Sequence, residues 1–261
     1  MPLAHERRGS GDPLVLVHGI GSQRQVWSPV LDALARERDV IAVDLPGFGE
    51  SALGDREAMS PVEHAAAVAE LMDSLGLETG HVAGNSLGGG VALELGRTGR
   101  ARSVTCLSPV GFWNEREDAY SRALLRASRA GARAPLVGAL GASRLGRTLT
   151  YGHLTSRPWR IPAAAAISAT HNLAECQGFE PTLAGFRGWR FRDGHEIACP
   201  VTIAWAQHDR LLIPRQARRA RRALPDARHI TLTGCGHVPT WDDPDQVATV
   251  LLEGSASVRP C

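Results

Sequence analysis

Ala83-Gly84-Asn85-Ser86-Leu87-Gly88-Gly89 is the stretch from which the rest of the chain is read. It begins in His81-Val82-Ala83, a short run that reads as a buried strand. It ends in Val91, Ala92, Leu93 and Leu95, whose spacing suits a helix. Gly84, Ser86 and Gly88 match the pattern G-x-S-x-G, in which a serine sits on a tight strand-to-helix turn. The backbone of such a turn is strained and crowded, so the positions two before and two after the serine need a residue without a Cβ. The turn also sets Ser86 at a helix N-terminus, where free N–H groups point at any negative charge that forms. In a chain with 28 glycines a five-residue pattern carries little weight alone, and the reading rests on what surrounds it.

Upstream, Leu14-Val15-Leu16-Val17-His18 is a continuous apolar run, as expected of a strand covered on both faces. Gly19-Ile20-Gly21-Ser22 turns the chain into a helix expected over Trp27 to about Arg36. Asp39 to Asp44 is a second buried strand and runs into the breaker-rich loop Leu45-Pro46-Gly47-Phe48-Gly49-Glu50-Ser51. Ser60-Pro61-Val62-Glu63 carries the signature of a helix start, with serine as N-cap, proline at the first position and glutamate three after the cap. That helix runs to Leu75. Downstream of the serine, Ser103–Leu107, Pro200–Trp205 and Arg228–Leu232 read as strands. Pro214 to Leu224 and Pro244 to Leu252 read as helices, with a frayed tail from Gly254. Strands alternating with helices predict a mostly parallel sheet with helices on both faces. Residues 1–13 leave room for at most one strand, which places the sheet at six to eight strands, with six or seven favoured. The chain is expected to start late relative to a full set of leading strands.

Between about 111 and 198 the pattern changes to helices, such as Ala119 to Ala130 and Ala163 to Leu173, punctuated by prolines. An insertion between two parallel strands emerges at the edge where ligands bind. The expected organisation is therefore a core over residues 1–110, a helical cap over 111–198 and a second core part over 199–261. Arg116, Arg122, Arg126, Arg129 and Arg133 on the first cap segment read as a solvated helix face.

Composition narrows the function classes. A formal net charge of +2 argues against nucleic acid as a partner, and no apolar run approaches a membrane span. Met1 to Arg8 turns polar at once and lacks a signal-peptide core. Five scattered cysteines make neither a C-x-x-C pair nor an even framework, and the expected location is a reducing cytoplasm. All 29 basic residues are arginine, so no lysine can act as Schiff base or general base. No metal-ligand spacing and no phosphate loop are present, so neither a metal nor a cofactor is expected. The expected partner is a small-molecule substrate.

A serine hydroxyl needs a base within hydrogen-bond reach, itself oriented by a carboxylate. Asp209 follows the Pro200–Trp205 strand, and His237 follows the Arg228–Leu232 strand. In a parallel sheet the C-terminal strand ends share one edge, so these two and Ser86 can meet. His208, adjacent to Asp209, points the other way on an extended segment. Asp44 is a weaker candidate for the acid. Asp242 and Asp243 are expected to cap the final helix, and His18 to be a structural residue of its loop.

Taken together, His18-Gly19-Ile20-Gly21, Asp44-Leu45-Pro46-Gly47-Phe48-Gly49, the serine turn and Gly236-His237 resemble the α/β-hydrolase fold superfamily, in its capped, esterase-like form. That resemblance implies Ser86 as nucleophile, His237 as general base and acid, and Asp209 as the residue holding the imidazole tautomer. It implies an oxyanion hole from the backbone N–H groups of Ile20 and Leu87. The reaction it implies is hydrolysis of a small to medium ester or related carbonyl compound through an acyl-enzyme. The alternatives are a carbon–carbon bond hydrolase acting on ring-fission products, in which a cap arginine would hold the substrate acid, a non-catalytic small-molecule receptor on the same fold, and an acyltransferase. Trp113, Trp189 and Arg190 are the candidate substrate-binding residues of the cap. Trp159, Phe179, Phe186 and Arg187 stand behind them.

Overall fold

A computed structural model of the chain describes residues 3–55, 57–135 and 137–256. The strands are β1 (His5–Gly9), β2 (Pro13–Val17), β3 (Asp39–Val43), β4 (Gly80–Asn85), β5 (Ala101–Leu107), β6 (Val201–Ala206) and β7 (Arg228–Leu232). Among the described residues they form one seven-stranded sheet in the order β1-β3-β2-β4-β5-β6-β7. All pairs are parallel except β1–β3, which is antiparallel, so the short N-terminal segment supplies one edge strand, as expected.

Side-chain alternation explains why the central strands read as unbroken apolar runs. Leu14 and Leu16 of β2 and Val40 and Ala42 of β3 face α1 (Ser28–Ala35) and α10 (Pro244–Gly254). Val15, Val17, Ile41 and Val43 face the opposite core layer, with α2 (Pro61–Ser74) and α3 (Leu87–Arg97). Both faces are covered, so both residue sets must be apolar. The Ser60 start is a capping box: Ser60 Oγ accepts from the Val62 N–H, and the Ser60 N–H donates to Glu63 at 2.7 Å.

Among the described residues five α-helices lie between β5 and β6: α4 (Glu115–Ala132), α5 (Val137–Leu140), α6 (Arg144–Tyr151), α7 (Ala163–Glu175) and α8 (Phe179–Gly185). α4 begins four residues before the Ala119 start that the sequence suggested. Asn114 and Glu117 form a reciprocal cap there, an N-x-x-E signal that could have been read directly. The arginine row of α4 is only partly a solvated face. Arg126 pairs with Glu180 at 2.9 Å. Arg129 donates to the Cys176 carbonyl and lies over the Phe179 ring, and Arg133 donates to the Ala174 carbonyl. These two guanidinium groups serve the C-terminal carbonyls of α7, which have no partner within their own helix. α9 (Arg215–Ala223) packs beside β6. Residues 257–261 of the expected tail lie outside the described residues.

The strand order reverses between β2 and β4, whose C-terminal ends carry the Gly19–Ser22 loop and the Ser86 turn. In an open parallel sheet that reversal opens a crevice for ligands.

Candidate active site

Ser86 sits directly after β4 with φ +58° and ψ −115°, a positive-φ conformation that residues with a Cβ rarely adopt. Surrounding bonds hold it there. The Ser86 N–H donates to Leu107 of β5 at 3.0 Å, and the Ser86 carbonyl accepts from Gly89, Gly90 and Val110. A Cβ on Gly84 would run into the Gly88 carbonyl, and one on Gly88 into the Val17 carbonyl, so the G-x-S-x-G spacing is enforced by backbone packing.

Asp209 lies three residues past β6 and is buried. Its Oδ1 accepts from the Leu211 and Leu212 N–H groups at 2.9 and 2.7 Å, which leaves Oδ2 to accept from His237 Nδ1 at 2.7 Å. The pairing makes Nδ1–H the proton donor to Asp209. His237 Nε2 is buried, has no partner among the described residues, and is the nitrogen left with its lone pair. His237 and Ser86 line the same cavity of about 340 Å³.

Two loops are thus brought together from the ends of β6 and β7. The His208 N–H donates to the Cys235 carbonyl at 2.9 Å, clasping them further. Asn85, the residue before the serine, donates its side-chain amide to the carbonyls of both Leu107 and His237 at 2.9 Å. The strand that carries Ser86 therefore also anchors the histidine loop. Sequence reasoning passed over Asn85, although its place in the turn was the available signal.

The Ile20 and Leu87 N–H groups have no acceptor among the described residues. Ile20, beside Ser86 in the cavity wall, belongs to a loop set by His18, which is wholly buried. The Leu45 N–H donates to His18 Nε2 at 3.0 Å, so Nδ1 carries the proton and donates to the Gly19 carbonyl at 2.7 Å. Burial pushes the His18 pKa down, against the opposing pull of Asp44, in keeping with a neutral ring. Asp44 is occupied by the Arg24 guanidinium and by the N–H groups of Arg24 and Glu50, which leaves it no role beside His237.

Asp243 caps α10 as expected, accepting from the Gln246 N–H. Asp242 does not. Its buried carboxylate accepts from the N–H groups of Gly236, Ser156 and Arg157 at 2.6–2.9 Å, joining the histidine loop to the segment after α6. Chain-local reasoning sees a helix start at this position and cannot see three donors arriving from elsewhere. Asn172 of α7 makes the matching tie on the opposite side. It donates to the Gly21 and Ser22 carbonyls and accepts from the Gly49 N–H.

Two of the three substrate-binding candidates fall elsewhere. Trp189 donates to Glu94 at 3.2 Å and packs against Gly90 and Gly111 of the core. Arg190 donates to the Trp113 and Trp189 carbonyls and lies over the Trp113 ring. Neither lines the 340 Å³ cavity, and Trp113, with Phe186, borders only a small niche adjoining Ser86. Phe179 is core, and Trp159 is about half exposed. The insertion's share of the cavity wall comes instead from Leu125, Ser128, Tyr151, His153, Ile161 and the Ala165–Leu173 side of α7. Among the described residues no group of His, Cys, Asp and Glu could hold a metal ion, and no helix is long and apolar enough to cross a membrane.

Comparison with known proteins agrees with this architecture. The chain is similar to the dihydrolipoyllysine-residue acetyltransferase component of the acetoin cleaving system of Cupriavidus necator, 39% identical over 127 residues, 47% of this chain. The match spans 33% of that protein's length. It is 28% identical over 251 residues to the putative carbamate hydrolase RutD of Escherichia coli O127:H6, covering 94% of this chain and 91% of that one. Among solved structures, a thermophilic esterase from Thermogutta terrifontis superposes with a TM-score of 0.76 at 22% identity, over 96% of this chain and 92% of that one. The family model described as alpha/beta hydrolase fold matches residues 12–244, and the chain belongs to that family.

Proposed function

We propose that the protein is a serine hydrolase that cleaves a small to medium, uncharged ester through an acyl-enzyme. The observation that carries this reading is the Asp209–His237 hydrogen bond of 2.7 Å, with the unpartnered Nε2 in the same cavity as a strained Ser86. In this reading His237 Nε2 takes the Ser86 proton as Oγ attacks the carbonyl carbon. The carbonyl oxygen gains negative charge and accepts from the Ile20 and Leu87 N–H groups, donors worth about 3–4 kcal/mol each at the barrier. His237 then protonates the departing alcohol, and water repeats the sequence to release the acid. Asp209 holds Nδ1–H throughout and stabilises the imidazolium.

The lining of the cavity supports a neutral substrate. It contains no Asp, Glu, Lys or Arg among the described residues, in a chain with 29 arginines. A ring-fission acid would require a cation free to pair with it. Arg122, which borders the niche beside Ser86, is already paired with Asp118 at 2.9 Å, so the ester reading is preferred to the carbon–carbon one. Intact-mass analysis after fluorophosphonate treatment tests the proposal. One adduct on the wild type, absent in Ser86→Ala and His237→Ala, is the expected result. A folded wild type that takes no adduct would refute it.

A further inference from the structure

Among the described residues the helical insertion contributes five polar side chains to the cavity wall: Ser128, Tyr151, His153, Thr155 and Ser168. Three are already engaged. The Tyr151 hydroxyl donates to the Ala166 carbonyl at 2.6 Å and also meets Thr170. Ser168 accepts from Gln23 at 2.9 Å. Ser128 Oγ lies 2.8 Å from both the Leu124 carbonyl and His153 Nε2. A hydroxyl has one proton, and a carbonyl can only accept. Both contacts are satisfied only if Ser128 donates to Leu124 and accepts from His153 Nε2–H.

That assignment leaves His153 Nδ1 as a lone pair. No protein donor meets it among the described residues, and unlike Thr155 Oγ1 it is not sealed behind the wall. Burial first, then His237 and Arg210, lower the His153 pKa, which keeps the ring neutral and Nδ1 an acceptor. The insertion's apolar contributions to the same cavity wall include Leu125, Ile161, Ala165, Ala169 and Leu173.

Resting on the serine-hydrolase reading, we infer that His153 is a specificity residue whose Nδ1 accepts a hydrogen bond from a hydroxyl or N–H group on the substrate, away from the scissile carbonyl. A substrate without that donor would cover the acceptor and leave it unpaired, and one with it would gain a neutral hydrogen bond. Ser128 is the positioning residue that fixes the tautomer.

The test uses neutral esters in matched pairs. Each ω-hydroxyalkyl acetate, with two to six carbons, is compared with the acetate in which methyl replaces the hydroxyl. A second series places the hydroxyl on the acyl side of methyl esters. For the wild type, kcat/KM should favour the hydroxylated member of at least one pair by about ten-fold. In His153→Phe that ratio should fall to within about two-fold of unity. His153→Asn, whose Oδ1 takes the place of Nδ1, should restore part of it. A wild type indifferent to the hydroxyl at every length, or a preference that survives in His153→Phe, would overturn the inference. Fluorophosphonate labelling of the same samples separates the two levels. An adduct on Ser86 with no hydroxyl preference refutes the role of His153 alone. No adduct refutes the hydrolase reading and this inference with it.

Discussion

The two walls of the cavity are held in different ways. The sheet-side wall, with Ile20, Ser86 and His237, is locked mainly by parallel register and backbone hydrogen bonds such as Ser86 to Leu107 and His208 to Cys235, with the Asn85 side chain as one added tie to the Leu107 and His237 carbonyls. The helical wall is fastened by side chains reaching carbonyls, such as Arg129 to Cys176, Arg133 to Ala174 and Tyr151 to Ala166. Backbone register cannot be altered by one substitution, whereas a side-chain tie can. The contrast teaches that the backbone geometry around Ser86 and the shape of the pocket are separable, joined at Asp242 and Asn172 among other ties such as Val238 to Leu154 and Gln23 to Ser168.

The largest effects belong to the sheet-side wall. Ser86→Ala and His237→Ala should each lower kcat/KM by about 10⁴-fold or more, and Asp209→Asn by about 10⁴-fold through the wrong tautomer. Thermal unfolding should remain close to wild type for Ser86→Ala, since removing that hydroxyl deletes no bond of the fold. Retained esterase activity in a Ser86→Ala preparation would break the comparison at its root.

At the junction, Asp242→Asn exchanges one acceptor oxygen for a donor facing backbone N–H groups. A loss of about 2 kcal/mol, roughly 5 °C in Tm, is expected, with kcat reduced because Gly236 no longer anchors the histidine loop. An unchanged Tm would mean that the two walls are not coupled there.

Acid should act on both walls at once. Burial is the first cause holding the pKa values of His18, His81 and His153 below the ordinary histidine value. Their unfolded forms take up protons near pH 6.5 while the folded forms resist, so the unfolded state binds more protons and stability falls as pH drops below about 6.5. A Tm series from pH 7.5 to 5.5 should be flat at the top and decline at the bottom. A Tm that rises toward pH 5.5 would contradict the buried neutral rings.

The smallest effect belongs to the helical wall. Arg133→Ala removes one cation from the C-terminal carbonyls of α7 and should cost about 0.5–1 kcal/mol, with substrate profile moving more than the rate on the best substrate. Comparing acyl-chain profiles of Arg133→Ala and wild type checks this.

What could be read in advance follows the same division. β2, β3 and β4 were legible because a strand buried on both faces must be apolar throughout. Ser60–Glu63 was legible because capping is chain-local. Ser86, Asp209 and His237 could be grouped because parallel strand ends share an edge. Trp189 and Arg190 were misread as pocket residues because an aromatic or an arginine in an insertion looks the same whether it meets substrate or, as here, Glu94 and the carbonyls of 113 and 189. Asp242 was misread because Asp-Asp-Pro is a helix start along the chain, and its three donors come from residues 156, 157 and 236.

The amino-acid order therefore specifies the alternation of strand and helix, the turn that strains Ser86, and the strand-end loops that carry Asp209 and His237. These depend on periodicity and on short-range steric demands, which any stretch of chain carries within itself. Only the folded molecule decides that Asp242 clasps the histidine loop, that Asn85 and Asn172 tie it and the Gly19–Ser22 loop in place, and that His153 faces the cavity while Arg190 does not. Those outcomes depend on which side chains from distant segments arrive at the same point, and hydrogen-bond donors are assigned there by proximity in space.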